Sequence, residues 1–219
     1  MTAPGRRAGA ALAAVLFVGC GTALPSGRAG PTTSPAALSP PASSSAPASA
    51  PVSLAPVIPD PALLDLLPIG ADGLILTYDP DTTARIAADP ALAADAASLA
   101  VGLATLGRAQ GLRTPDPLGD LAVVSVVRLR DPASDEEWFR DWRDTYDTAA
   151  CAQAGGVARH AESAINGRTV FIGSCAGGAF TYHVRTADGA TVLSVTSVGT
   201  ARVGEAILRR LAPAATIAP

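Results

Sequence analysis

The 219-residue chain contains no lysine; all 16 of its basic residues are arginine. A phosphate-binding Walker loop, a Schiff-base site, a protein kinase and a Ser-x-x-Lys acyl-transfer site each require an amine, so these classes are excluded. Histidine is nearly absent too, with only His160 and His183, and neither Cys-x-x-Cys nor His-Glu-x-x-His occurs. A zinc site started by His160 and Glu162 therefore lacks partners, and no metal or other cofactor is expected. Asp79-Pro80-Asp81 begins as a calcium loop does, but Ala84 stands where such a loop needs glycine and Pro90 where it needs a bidentate glutamate. Net charge is −3, and −5 without Arg6 and Arg7, so no basic footprint remains and no nucleic acid is expected as a partner.

What is abundant is alanine, 47 residues, which together with arginine in place of lysine suggests a high-GC bacterial genome. Near the start, Arg6 and Arg7 precede an apolar run from Ala8 to Gly19. A bilayer span needs about 20 apolar residues, so this shorter run reads as the core of an export signal over residues 1–19. It ends in Leu16-Phe17-Val18-Gly19-Cys20-Gly21, which resembles the lipobox of bacterial lipoproteins. The resemblance implies that Cys20 takes a diacylglyceryl group on its thiol and becomes the new N-terminus after signal peptidase II cuts before it. Ala8-Gly9-Ala10 replaces the hydrophobic residues that follow a twin-arginine pair, so the general secretory route is expected. The implied address is a cell membrane, lipid-anchored, on the extracytoplasmic side.

Three cysteines are an odd number for an exported protein. With Cys20 lipidated, Cys151 and Cys175 remain as a pair, in a compartment where disulfides persist. Between residues 21 and 61, 27 of 41 residues are Ala, Pro or Ser, ten of them proline. Such a stretch buries too little apolar surface to offset its ordering entropy, so residues 20–61 read as a lipidated, disordered tether. At about 3.1 Å per residue it reaches on the order of 100 Å.

Residues 62–212 have the length of a single domain, followed by a short tail over 213–219. Gly73 to Tyr78 reads as a strand. Asp89-Pro90 then reads as a helix start, with Leu92, Ala96, Leu99, Leu103 and Leu106 on one face and Gly107 and Gly111 ending it. Leu121 to Arg130 is a strand. Ser134-Asp135-Glu136-Glu137 reads as a capping box opening a helix that ends just before Cys151. Phe139, Trp142 and Tyr146 form its apolar stripe, and Glu136/Arg140 and Arg143/Asp147 form solvated i, i+4 pairs on its other face.

Asn166-Gly167, Gly177-Gly178 and Asp188-Gly189 divide the rest into a four-stranded antiparallel meander. Two-residue turns there set Phe171 opposite Val184 and Cys175 opposite Phe180, with Tyr182 beside Val195, as an apolar face under the helices. The opposite face then carries Thr181, His183, Arg185, Ser194 and Thr196, open to solvent or to a polar ligand. A last helix, capped by Thr200, places Val203, Ile207 and Leu211 on the sheet. The expected class is α+β, an antiparallel sheet of that meander plus one or two earlier strands with helices packed on one face.

From Leu121 to Leu211 this order, with Trp142, Cys151 and Cys175, resembles the extracellular sensor domains of bacterial receptor-type Ser/Thr kinases and their stand-alone lipoprotein relatives. Those domains usually carry a second disulfide that is absent here. The resulting expectation is a lipid-anchored, non-catalytic ligand-binding or sensory module, its partners the membrane and a small polar ligand or an envelope protein. Thr181, His183, Arg185 and Ser194 are its candidate ligand residues. A small hydrolase is the first alternative, because Gly173-Ser174-Cys175-Ala176-Gly177 matches a nucleophile elbow and His160 or His183 is available as a base. An elbow must lead from strand into helix, however, and Ala179 to Arg185 reads as a strand. The second alternative is a structural envelope protein, which needs no pocket.

Overall fold

β-branched residues fill the central segments Leu121–Leu129 and Thr191–Val198, and the sheet they form with an alanine- and leucine-rich strand, Ala96–Leu106, organises the molecule. The computed structural model describes residues 54–67, 73–106 and 120–212. The signal at 1–19, Cys20, the tether up to residue 53, Gly107, Gly111 and the tail at 213–219 lie outside them. In chain order the elements are β1 (Ile58–Pro59), a 3-10 helix (Pro61–Leu66), β2 (Leu74–Tyr78), α1 (Pro80–Ala87), β3 (Ala96–Leu106), β4 (Leu121–Leu129), α2 (Glu136–Cys151), β5 (Val157–Ile165), β6 (Arg168–Cys175), β7 (Phe180–Arg185), β8 (Thr191–Val198) and α3 (Val203–Arg210).

The eight strands make one mixed, mostly antiparallel sheet in the order β1-β3-β4-β8-β7-β6-β5, with β2 also on β3. β1 pairs parallel with Ser98 and Leu99, and β2 pairs antiparallel with Gly102 to Leu106, so the two divide the outer edge of β3. Between them the Val101 backbone is satisfied from α1: its carbonyl accepts from the Asp79 N–H and its N–H donates to Thr83 Oγ1. Asp79 also caps α1, accepting from the Thr82 N–H, with Pro80 in the first turn. The Asp79-Pro80-Asp81 motif is thus a helix start. Val57 is buried and β1 is part of the sheet, so the fold begins ahead of residue 62.

Helices cover both faces of the sheet, which corrects the one-sided packing expected from the sequence. On one side α2 sets Phe139, Trp142 and Tyr146 against Leu99, Val101, Val127 and Val192, with Ile86 of α1 in the same cluster. On the other, α3 and the 3-10 helix bring Val203, Ile207, Leu208, Leu63 and Leu64 onto Val124, Val126, Tyr182, Val184 and Val195. Each such apolar side chain, fully buried, contributes roughly 1.5–3 kcal/mol.

Three further corrections are local. The segment expected as a helix from Leu92 to Leu106 is a 3-10 turn, Leu92–Ala94, followed by the eleven-residue strand β3. Asp135 caps α2 in place of Ser134, accepting from the Trp138 N–H, and Cys151 closes the helix instead of following it. α3 starts after Arg202, which has φ of 48° and no side-chain cap, so Thr200 does not cap it.

The Asn166-Gly167 turn is two residues long, with Ile165 opposite Arg168 and both turn residues at positive φ. The Gly177-Gly178 turn is longer. Cys175 N–H donates to Ala179 O, Gly178 N–H donates to Cys175 O, and the ladder pairs Ser174 with Phe180. That single residue of register places Phe171 opposite His183 instead of Val184, and transfers every side chain of β7 and β8 to the other face relative to β6. The face carrying Thr181, His183 and Ser194 therefore lies beneath α2.

Candidate functional site

α2 has one apolar stripe, and Asp147 lies directly beside it, following Tyr146 and preceding Ala150 by three positions. The helix thus carries a carboxylate into the layer between itself and the sheet, where Asp147 is 1 % exposed. An unpaired carboxylate at such a place costs several kcal/mol, so partners are required. They come from two strands. His183 on β7, fully buried, sets Nε2 2.8 Å from Asp147 Oδ1, and His160 on β5, partly open to solvent, sets Nε2 3.0 Å from Oδ2.

The network continues inward. His183 Nδ1 lies 3.0 Å from Ser194 Oγ, and Ser125 Oγ donates to the Ser194 carbonyl at 3.3 Å. Alongside, the Tyr146 hydroxyl is 3.0 Å from Thr196 Oγ1, and the Tyr146 ring stands edge-on to His183 with centroids 5.1 Å apart. A polar seam thus runs from the exposed edge strand to the middle of the sheet. Gly173, opposite both His160 and Thr181, makes room for it: a Cβ there would stand 2.5 Å from Asp147 Oδ2 and collide with Thr181 Oγ1.

Burial pushes the Asp147 pKa up, but the hydrogen bond and charge of His183, the Thr181 hydroxyl and the charge of His160 more than offset it. The carboxyl ends below its ordinary value of 3.8 and stays ionised. Burial also pushes the Tyr146 hydroxyl up to about 12, with Thr196 and Ser125 opposing and the Asp147 charge adding to the rise. The seam is a fixed anion held between two imidazoles, next to a phenol that keeps its proton.

Of the four ligand residues expected from the sequence, Thr181, His183 and Ser194 are buried under α2, so the open floor they were expected to form is closed. Ser194, His183 and Asp147 line up as a serine, a histidine and an acid. Ser194 is only 1 % exposed, however, and none of the three lines either cavity described below. The Cys175 and Cys151 sulfurs lie at disulfide distance, 2.01 Å apart, and both residues are buried with Ala179. Gly173-Ser174-Cys175 runs into β7, not into a helix, and both histidines turn to Asp147. Asp147, expected on a solvated helix face beside Arg143, is the residue on which the seam depends. Arg143 instead lies 3.4 Å from Asp144 and stacks over Phe171.

Arg185, the fourth ligand candidate, is half-buried at the wall of an open cleft of about 700 Å³. Arg168, Phe171, Glu136, Phe139 and Asp188 complete the parts of its lining that bear on binding. The Arg185 guanidinium is oriented by the Pro132 carbonyl at 2.9 Å, the Ser134 hydroxyl at 3.0 Å and the Gly189 carbonyl at 3.3 Å. Asp188 accepts from Thr186 Oγ1 and the Ala190 N–H, bonds that hold its carboxyl below the usual range. A second, apolar cavity of about 170 Å³ lies on the other face, between Leu66, Val126, Leu193 and Leu211. Among the described residues no group of three or more His, Cys, Asp or Glu is arranged to hold a metal ion, and no helix is long and apolar enough to cross a membrane. Compared with known protein families, curated proteins and solved structures, the chain matches none.

Proposed function

We propose that the protein is a lipid-anchored extracytoplasmic module that binds a small polar or anionic ligand without catalysis, its domain carried from the membrane on the Ala/Pro/Ser-rich tether that follows Cys20. The cleft carries the binding half of this reading. Arg185 and Arg168 both line it, with Glu136 and Asp188 limiting its charge and Phe139 and Phe171 among its apolar lining, and the Arg168 guanidinium also donates to the Ala212 carbonyl. The Arg185 Nε and Nη2 hydrogens are committed to Gly189, Pro132 and Ser134, which leaves Nη1 and the positive charge for a carboxylate or phosphate, and an arginine oriented in this way loses little entropy on binding. The seam beneath α2 has the complementary task of fixing that helix, whose first turn supplies Glu136 and Phe139 to the cleft.

Inorganic phosphate and succinate, titrated separately while amide chemical shifts are followed, test this reading. Shifts should concentrate at Arg168, Phe171, Arg185 and Asp188 for at least one probe. Arg168→Ala and Arg185→Ala should each weaken that binding at least tenfold, and Arg185→Lys, which keeps the charge but loses the oriented guanidinium, should weaken it less. Absence of binding to either probe, or binding indifferent to both arginines, contradicts the proposal.

A further inference from the structure

The sheet ends on β5, and among the described residues no strand pairs with its outer edge. All seven residues from Ala158 to Ala164 are exposed, on both faces of the strand. Proteins usually blunt such an edge with lysine, proline or a covering element. Here lysine is absent from the whole chain and proline from residues 157–165. The opposite edge differs, being divided between β2 and a two-residue β1 that contains Pro59. A bulge between Val157 and Arg159 bends the start of β5, and the regular ladder runs from Arg159 onward.

We propose that β5 is a homodimer interface, in which two copies of this chain join their sheets antiparallel about a two-fold axis at Ala161. Backbone geometry restricts the register. Across the two-residue turn Ile165 and Arg168 form the hydrogen-bonded pair that closes the hairpin, so Ile165, Ser163 and Ala161 direct their N–H and C=O groups toward β6. The alternate residues His160, Glu162 and Ala164 direct theirs to the open edge. A two-fold perpendicular to the sheet keeps each face continuous, so these even-numbered residues must pair with one another.

Charge then selects among the registers that remain. Centring on Glu162 sets two carboxylates face to face, centring on His160 sets two imidazoles face to face, and centring on Ser163 sets Glu162 opposite Ala164, with no polar partner. Centring on Ala161 sets His160 opposite Glu162 of the second copy, twice by symmetry, and Arg159 opposite Ser163. A carboxylate facing an imidazole across a strand pair is favourable, and two carboxylates facing each other are not. The His160 side chain remains 45 % exposed while Nε2 is engaged by Asp147.

The register makes a positional prediction that a merely sticky edge does not. At the two-fold, Ala161 of each copy forms a non-hydrogen-bonded pair, with Cα atoms about 4.5 Å apart. That separation is within the range of about 4.4–6.8 Å that a disulfide bridges. In a full-length chain carrying Cys20→Ser, sedimentation across a dilution series should show twice the monomer mass at high concentration. Ala161→Cys should then cross-link spontaneously, and Ser163→Cys, which faces Arg159, should not. Glu162→Arg should shift the chain to monomer with an unchanged circular-dichroism melt, because the residue is exposed. A monomer at every concentration, a dimer indifferent to Glu162→Arg, or equal cross-linking at positions 161 and 163 overturns the proposal.

Discussion

Asp147 and His183 are 36 residues apart in sequence and 2.8 Å apart in space, the acid on α2 and the imidazole on β7, both closed to solvent. This pair fastens the helix layer to the sheet within a row of buried hydroxyls, Thr181, Ser194 and Thr196. Removing one member leaves the other charged or polar and buried, which typically costs about 3–5 kcal/mol. Asp147→Ala should therefore lower the urea midpoint strongly. His160→Ala removes a partner that is partly solvated and should cost less than about 1 kcal/mol. Equal, small effects from the two variants contradict the arrangement.

The depressed Asp147 pKa fixes the direction of a pH dependence. Below the unfolded-state value of 3.8 the unfolded chain takes up a proton at this position while the folded chain still resists it. The contribution to stability is present above 3.8, and is lost as pH falls through the lower folded-state value. Urea midpoints measured at successive pH values in the acid range should fall with decreasing pH in the wild type. Asp147→Asn, which carries no titrating group there, should show a shallower fall, and an unchanged slope counts against the ionised form.

Gly173 tests the space allotted to the carboxylate. A methyl group at this position meets Asp147 Oδ2 and Thr181 Oγ1, neither of which has room to withdraw beneath α2. Gly173→Ala should cost about 1–3 kcal/mol, the usual range for overpacking. In an Asp147→Ala background the same substitution should cost less, which a double-mutant cycle measures directly.

Cys151 and Cys175 close a loop of 24 residues between the end of α2 and the end of β6. In the chain-entropy account a loop of this length contributes roughly 3–4 kcal/mol. The reduced protein should melt well below the oxidised form, and Cys175→Ser should match the reduced form. Two free thiols in natively exported, unreduced protein, found by alkylation and mass measurement, contradict the bond and reopen a nucleophilic role for Cys175.

Much of the architecture is legible in the sequence because its signals are local. β2, β4, α2 and the four strands of the meander follow from β-branched runs, acidic residues opening a helix and two-residue turn signals. β3 is not legible in this way. Ala96–Leu106 is rich in Ala and Leu, and layers on both faces of the sheet remove the polar alternation that identifies a strand, so Leu92, Ala96, Leu99 and Leu103 imitate a helical stripe. The faces of the meander depended on one turn: an extra residue of register at Gly177-Gly178 decides whether His183 meets solvent or α2.

Asp147 was hidden for a related reason, since its i, i+4 spacing from Arg143 fits a solvated pair as well as a buried acid. The available signal was the polar row Thr181, His183, Ser194 and Thr196, which needs a partner once a helix covers it. Arg168 and Asp188 gave no such signal, because the cleft joins two turns and a helix start that are distant in sequence.

The most direct test of an anchored extracytoplasmic module is the intact mass of the protein recovered from the membrane fraction of cells that export it. The expected mass is that of a chain beginning at Cys20 and carrying a diacylglyceryl group, whose two acyl chains suffice for stable retention. Cys20→Ala should accumulate as precursor or leave the membrane. A membrane-fraction chain of unprocessed mass, or Cys20→Ala retained as firmly as the wild type, contradicts the anchor and with it the place assigned to the domain.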